Sequence, residues 1–104
     1  MEITSLYARV NGLNMHYVTA GDGPPVILLH GFPDTHEIWR RQIPALAAAG
    51  LRVIAPDLRG YGKTDMPQDV GAYAVSFLAD DVLRLMDALG IEKAVIVGHD
   101  WGAL

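Results

Sequence analysis

At 104 residues, half of them apolar and with charges interspersed, the chain is long enough for one domain with a hydrophobic core and too apolar for disorder. Its formal charge of −4, with no basic cluster longer than Arg40-Arg41, argues against nucleic acid and anionic membrane surfaces as partners. The absence of cysteine rules out a disulfide framework and a cysteine-based metal site, no apolar run reaches the roughly 18–20 residues of a membrane span, and Met1–Tyr7 lacks a signal-peptide pattern, so the cytoplasm is the default location.

In chain order, Leu6–Val10 and Leu13–Thr19 are short β-type runs around Asn11-Gly12, a strong hairpin signal. A turn-rich loop, Ala20 to Pro24, leads to Val26–Leu29, a continuous apolar run of the kind found in a parallel strand covered on both faces. Trp39, Ile43, Leu46 and Ala47 then recur at helical spacing. Pro44 is costly inside a helix, so a break near Ile43 is expected, with Pro44 in the first turn of a helix that stops at Gly50.

Arg52–Pro56 reads as a further strand, followed by a Gly- and Asp-rich loop. The clearest helix runs from about Ser76, a suitable N-cap, to Leu89, with Gly90 as its stop. Leu78, Val82, Leu85, Met86 and Leu89 form its apolar stripe; Asp80, Asp81, Arg84 and Asp87 are expected to face water. Ala94–Val97 is the last buried strand. A hairpin followed by alternating strands and helices describes an α/β fold with a mixed sheet and a parallel core.

Directly after that strand comes Gly98-His99-Asp100-Trp101-Gly102. Gly-x-nucleophile-x-Gly at a strand-to-helix junction is the pattern of a nucleophile elbow, a turn so sharp that its flanking positions must lack side chains. With Asp100 in the middle, the nucleophile is a carboxylate, already ionised at neutral pH and in need of no base to attack. Its natural target is a saturated carbon bearing a leaving group. The product is an ester on Asp100, and water must then attack the ester carbonyl, so that negative charge develops on Asp100 itself. His30-Gly31-Phe32-Pro33, at the end of an earlier buried strand, matches the position from which such a site draws an oxyanion amide; the backbone N–H groups of Phe32 and Trp101 are the expected donors.

Leu29-His30-Gly31-Phe32-Pro33, Pro56-Asp57-Leu58-Arg59-Gly60-Tyr61-Gly62 and Gly98-His99-Asp100-Trp101-Gly102 resemble, in order and spacing, the motifs of the α/β-hydrolase-fold epoxide hydrolases. The resemblance spans the whole chain, residues 1–104, and about the first third of such an enzyme. It implies a truncated α/β-hydrolase core: an antiparallel N-terminal hairpin plus three parallel strands with flanking helices, the strand at Val26–Leu29 lying between the other two. It further implies hydrolysis of an epoxide to a diol without a cofactor, with cap-domain tyrosines holding the epoxide oxygen and a histidine with an acidic partner activating water. None of those later parts is in this sequence, which stops at Leu104 in what should be the first turn of a helix and therefore reads as a fragment, inactive by itself and with a sheet edge open to self-association.

Haloalkane and haloacetate dehalogenases use the same kind of Asp nucleophile, so an organohalide is the alternative substrate. Phe32 stands where the former usually carry a polar halide ligand, and Trp101 where fluoroacetate dehalogenases usually carry an arginine; both departures favour an epoxide. A helix-capping role for Asp100 explains neither flanking glycine. His99 and Asp100 diverge in so tight a turn, which disfavours a metal site there. Gly62-Lys63-Thr64 lacks the earlier glycine of a phosphate loop, whose place Asp57 takes. His30 reads as a structural hydrogen-bonding residue below the cleft, His16 and His36 as surface or loop residues, and Asp57 and Arg59 as organisers of the loop around Gly60 and Gly62.

Overall fold

The computed structural model describes residues 3–30, 36–58, 64 and 75–98, with side chains in the last segment from residue 79 onward. Its elements are strands β1 (Thr4–Val10), β2 (Leu13–Ala20) and β3 (Pro25–Leu29), a 3-10 turn (His36–Trp39), helix α1 (Gln42–Ala48), strand β4 (Arg52–Pro56), helix α2 (Val75–Ala88) and strand β5 (Val95–Gly98). They build one sheet in the order β1-β2-β4-β3-β5. β1 and β2 form the antiparallel hairpin, closed by Asn11 and Gly12 at φ 49° and 76°, the positive pair that a tight two-residue turn requires. β2 lies antiparallel against β4, and β3 runs parallel to β4 on one side and to β5 on the other. The expected placement of β3 between the other two parallel strands is therefore found.

Alternation along the strands sorts the core into two layers. Met15, Tyr17, Ile27, Leu29 and Ile54 pack on one face with Val82, Leu85 and Met86 of α2. Val18, Ala20, Val26, Leu28, Val53 and Ala55 pack on the other with Ile43 and Ala47 of α1. β3 and β4 thus bury both faces, which is why Val26–Leu29 reads as an unbroken apolar run. The expectation of a buried strand at Ala94–Val97 is corrected: in β5 Val95, Ile96 and Val97 are exposed, because among the described residues the strand pairs on one edge only, with β3. The link from β2 to β3 passes beside the carboxyl end of α1, where Arg52 N–H donates to Pro24 O at 3.0 Å. The approach is so close that a Cβ on Gly23 would stand 2.0 Å from Gly50 O.

Both helices end alike. The amides of Gly50 and Leu51 return to the carbonyls of Ala47 and Leu46, and those of Gly90 and Ile91 to Asp87 and Met86, satisfying carbonyls the helix ends leave over. Pro44 is the third residue of α1, inside the first turn as expected; the break falls slightly earlier, between Trp39 and Gln42. α2 begins at Val75, so Ser76 lies inside it, and the side chains of Ser76 and Leu78 are outside the described residues. Asp81 corrects the helix reading. It is buried rather than facing water and accepts a hydrogen bond from Asn11 Nδ2 at 2.9 Å, while Asp80 accepts from the same nitrogen at 2.8 Å. The turn of the hairpin packs where that face of α2 would otherwise meet solvent.

Candidate active site

In an α/β sheet the crevice for a ligand opens at the carboxyl ends of the parallel strands, where successive connections leave on opposite faces. Here that point lies between β3 and β5: α1 covers one face, α2 the other. Leu29 stands opposite Gly98 in the parallel register, so the last residues of β3 and β5 lie side by side. Asp100, Phe32 and Trp101, the expected nucleophile and oxyanion donors, follow within three residues of these ends and lie outside the described residues, as do Arg59, Gly60, Gly62 and His99.

What is described beside this crevice is a buried hydrogen-bond network at the end of β4. Asp57, the first residue after the strand, is fully buried. Its Oδ2 accepts from His16 Nδ1 at 2.8 Å, and its Oδ1 accepts from both the backbone N–H of His36 at 2.8 Å and His36 Nδ1 at 2.6 Å. A carboxylate only accepts, so both imidazoles carry their proton on Nδ1. His16 Nε2 is then free to accept from the Ser5 hydroxyl. The two rings also touch, with centroids 5.0 Å apart. Thr64 closes the network by donating to Asp57 O at 2.7 Å and accepting from His16 N at 2.9 Å, while the Asp57 amide returns to His16 O at 2.9 Å. Hydrogen bonds to a buried charge are worth about 1.5–3 kcal/mol each, so the network stiffens this end of the sheet.

One strand over, His30 is fully buried, and its Nε2 accepts from the Leu58 amide at 2.9 Å. The structural role read for His30 is therefore observed. The reading of His16 is corrected, since it is buried in β2; His36, at the start of the 3-10 turn, is half-buried, with its side chain 17% exposed. Strand β2 is covered on both faces by its neighbours in the fold, and no local pattern around Met15-His16-Tyr17 announces this. Thr64, which the residues Gly62-Lys63-Thr64 bring to notice as the end of a phosphate loop, is instead a hydroxyl bridge between two backbone groups.

Ligand atoms of His16, His36 and Asp57 lie within 4.8 Å of one another, a spacing compatible with a cation. Both Nδ1 protons, however, already point at the carboxylate, and His16 uses its second nitrogen as well. A metal would have to displace those protons, so the cluster is read as a hydrogen-bond hub. Among the described residues no helix is long and apolar enough to cross a membrane.

The chain is similar to an epoxide hydrolase of Caballeronia sordidicola, at 52% identity over 93 residues that make up 89% of this chain and 28% of that protein. It is 51% identical to epoxide hydrolase A of Mycobacterium tuberculosis over 103 residues, 97% of this chain and 32% of the relative. Among solved structures it resembles an epoxide hydrolase from Vigna radiata, with a TM-score of 0.96 and 46% identity, covering 98% of this chain and 32% of that one. The chain thus spans about a third of the length of the relatives it matches. Residues 24–104 match the family described as the α/β hydrolase fold. That match, the sheet order and the paired ends of β3 and β5 make the chain a member of the α/β-hydrolase fold family.

Proposed function

We propose that the protein carrying this chain is an epoxide hydrolase in which Asp100 is the nucleophile and the backbone amides of Phe32 and Trp101 form the oxyanion hole. The observation that carries the reading is the register of β3 and β5. With Leu29 opposite Gly98, the segments His30-Gly31-Phe32 and His99-Asp100-Trp101 start from neighbouring points of the sheet. The relatives' names supply the substrate class, a small-molecule epoxide.

The chemistry runs in two steps. An oxygen of the Asp100 carboxylate attacks an epoxide carbon; the new C–O bond forms as the ring C–O bond breaks, and the ring oxygen takes a proton from an acid. Water then adds to the carbonyl carbon of the resulting ester, losing a proton to a base. The charge that collects on the carbonyl oxygen is held by the two amides until the ester C–O bond breaks, the departing oxygen is protonated and the diol leaves. By family resemblance, the acid and the base are cap tyrosines and a late histidine. The described histidines of this chain do not replace that base: His16, His30 and His36 are tied to Asp57, Ser5 and Leu58.

A single turnover in 18O-water, with the full-length protein in excess over styrene oxide, tests the reading. The expected diol is unlabelled, with the heavy oxygen in the Asp100 carboxylate, and Asp100→Ala forms no diol. Label appearing directly in the first diol would show attack by water on the epoxide and overturn the covalent route. Halide release from a haloalkane through the same labelled Asp100, with no epoxide opened, would assign the dehalogenase alternative.

A further inference from the structure

Within the network at the end of β4, three side chains form one line across three strands. Ser5 is an exposed residue of β1, and its hydroxyl donates to Nε2 of His16 on β2. His16, itself buried, donates from Nδ1 to Asp57 Oδ2 at 2.8 Å. The buried carboxylate fixes the tautomer of the imidazole and leaves its basic nitrogen on the hydroxyl. Hydroxyl, imidazole and carboxylate in this order are the parts of an activated serine, a set defined by geometry and roles rather than by fold. Ser5 stands opposite Val18 in the hairpin register, and Ile3 precedes it by two residues, on the same side of the strand. Ile3 and Val18, with Ile43, are apolar walls of an open hollow of about 220 Å³, which His36, Glu37 and Arg40 also line. A drug-sized ligand needs about 300–1,000 Å³, so this hollow suits a short acyl chain. β1 lies three strands from β3, about 14 Å at the usual strand spacing, so Ser5 is apart from the crevice between β3 and β5.

We propose that Ser5, His16 and Asp57 form a second nucleophilic site, which accepts the acyl group of a short-chain activated ester. It stands independently of the Asp100 reading. Ser5 Oγ adds to the ester carbonyl carbon as its proton passes to His16 Nε2, and Asp57 holds the imidazolium that results. The carbonyl re-forms as the bond to the leaving oxygen breaks, and that oxygen takes the proton back from Nε2. The products are an acyl ester on Ser5 and a free alcohol. Because Ser5 is exposed, water rather than fixed donors meets the oxyanion, and lacking such a donor costs about a hundredfold to a thousandfold. The site therefore requires a good leaving group, an aryl ester rather than an alkyl ester or an amide.

The test treats the full-length protein with p-nitrophenyl butyrate and sequences the peptide that ends at Arg9 by tandem mass spectrometry. The expected result is a butyryl group on Ser5 and not on Thr4 or Tyr7. It should form about tenfold faster than the adduct from p-nitrophenyl decanoate, whose chain outgrows the hollow. His16→Gln keeps a polar side chain in the network but no base, and is expected to acylate Ser5 about a hundredfold more slowly. Absence of butyryl on Ser5 overturns the proposal, as do equal rates for the two esters. So does acylation at the wild-type rate by a His16→Gln protein shown to be folded by near-UV circular dichroism. If that variant does not fold, the wild-type protein unfolded in urea decides. Ser5 acylated there at the native rate is an ordinary hydroxyl and the proposal fails, whereas loss of the adduct shows that the folded arrangement activates it.

Discussion

Thr64 carries two hydrogen bonds that a side chain of the same shape without a hydroxyl cannot make. Thr64→Val leaves Asp57 O and His16 N–H buried without that partner, and is expected to lower stability by about 1–3 kcal/mol, read from denaturant unfolding, with Thr64→Ser losing much less. Asn11 works differently, combining a positive φ of 49° with two bonds to Asp80 and Asp81. Asn11→Gly keeps the backbone conformation and loses the bonds; Asn11→Ala loses both. The expected order of melting temperatures is wild type, then Gly, then Ala, with the Ala variant less stable than wild type by about 1–2 kcal/mol. These residues also mark what one sequence hides. An Asn-Gly pair announces a turn, yet nothing near Asn11 announces the helix 69 positions away that its side chain caps from the side. Asp81 looks like the water-facing half of an amphipathic repeat until the hairpin turn is laid against it.

At the scale of elements, the helix stops and the β2–β3 link depend on glycine for different reasons. Gly90 sits at φ 70°, and a Cβ there would meet nothing within 4 Å, so Gly90→Ala costs only the backbone conformation, about 1 kcal/mol. At Gly23 a Cβ would meet the Gly50 carbonyl oxygen at 2.0 Å, so Gly23→Ala must push the link off α1. A loss of more than about 2 kcal/mol is expected, measured by thermal unfolding alongside Gly90→Ala. Equal losses at the two positions would refute the close approach. The helix stop at Gly90 is legible from its neighbours, because the apolar stripe ends there. The crossing at Gly23 is not, since its partner, Gly50, lies beyond a whole strand and helix.

At the scale of the molecule, the sheet is unevenly covered. β3 and β4 are buried on both faces, whereas in β5 Val95, Ile96 and Val97 are 67%, 47% and 39% exposed. Among the described residues β5 pairs with β3 alone. An apolar strand with one bare edge is a template for association, and covering it is favourable by about 25 cal/mol per Å². The 104-residue chain by itself is expected to self-associate, seen as a concentration-dependent rise in mass by light scattering. Ile96→Lys should shift it toward monomer; a monomer at all concentrations without the substitution would show that the bare edge is harmless.

The sequence alone determined the order of the strands and helices along the chain, the buried parallel run at Val26–Leu29, the hairpin turn and the α/β class, because strand alternation, helical spacing and turn residues are local and survive in one dimension. It also presented the Asp100 elbow and the Phe32 segment as a chemical hypothesis, because Gly-x-Asp-x-Gly after an apolar strand is a local pattern too. Only the tertiary structure decided that β2 lies against β4, that Leu29 stands opposite Gly98, and that His16, His36, Asp57 and Thr64 meet. Those four residues come from a strand, the start of a 3-10 turn and two places after β4, and each looks like an ordinary polar residue where it stands. Their burial follows from strand order and layer stacking, which depend on which apolar faces find one another across the whole chain.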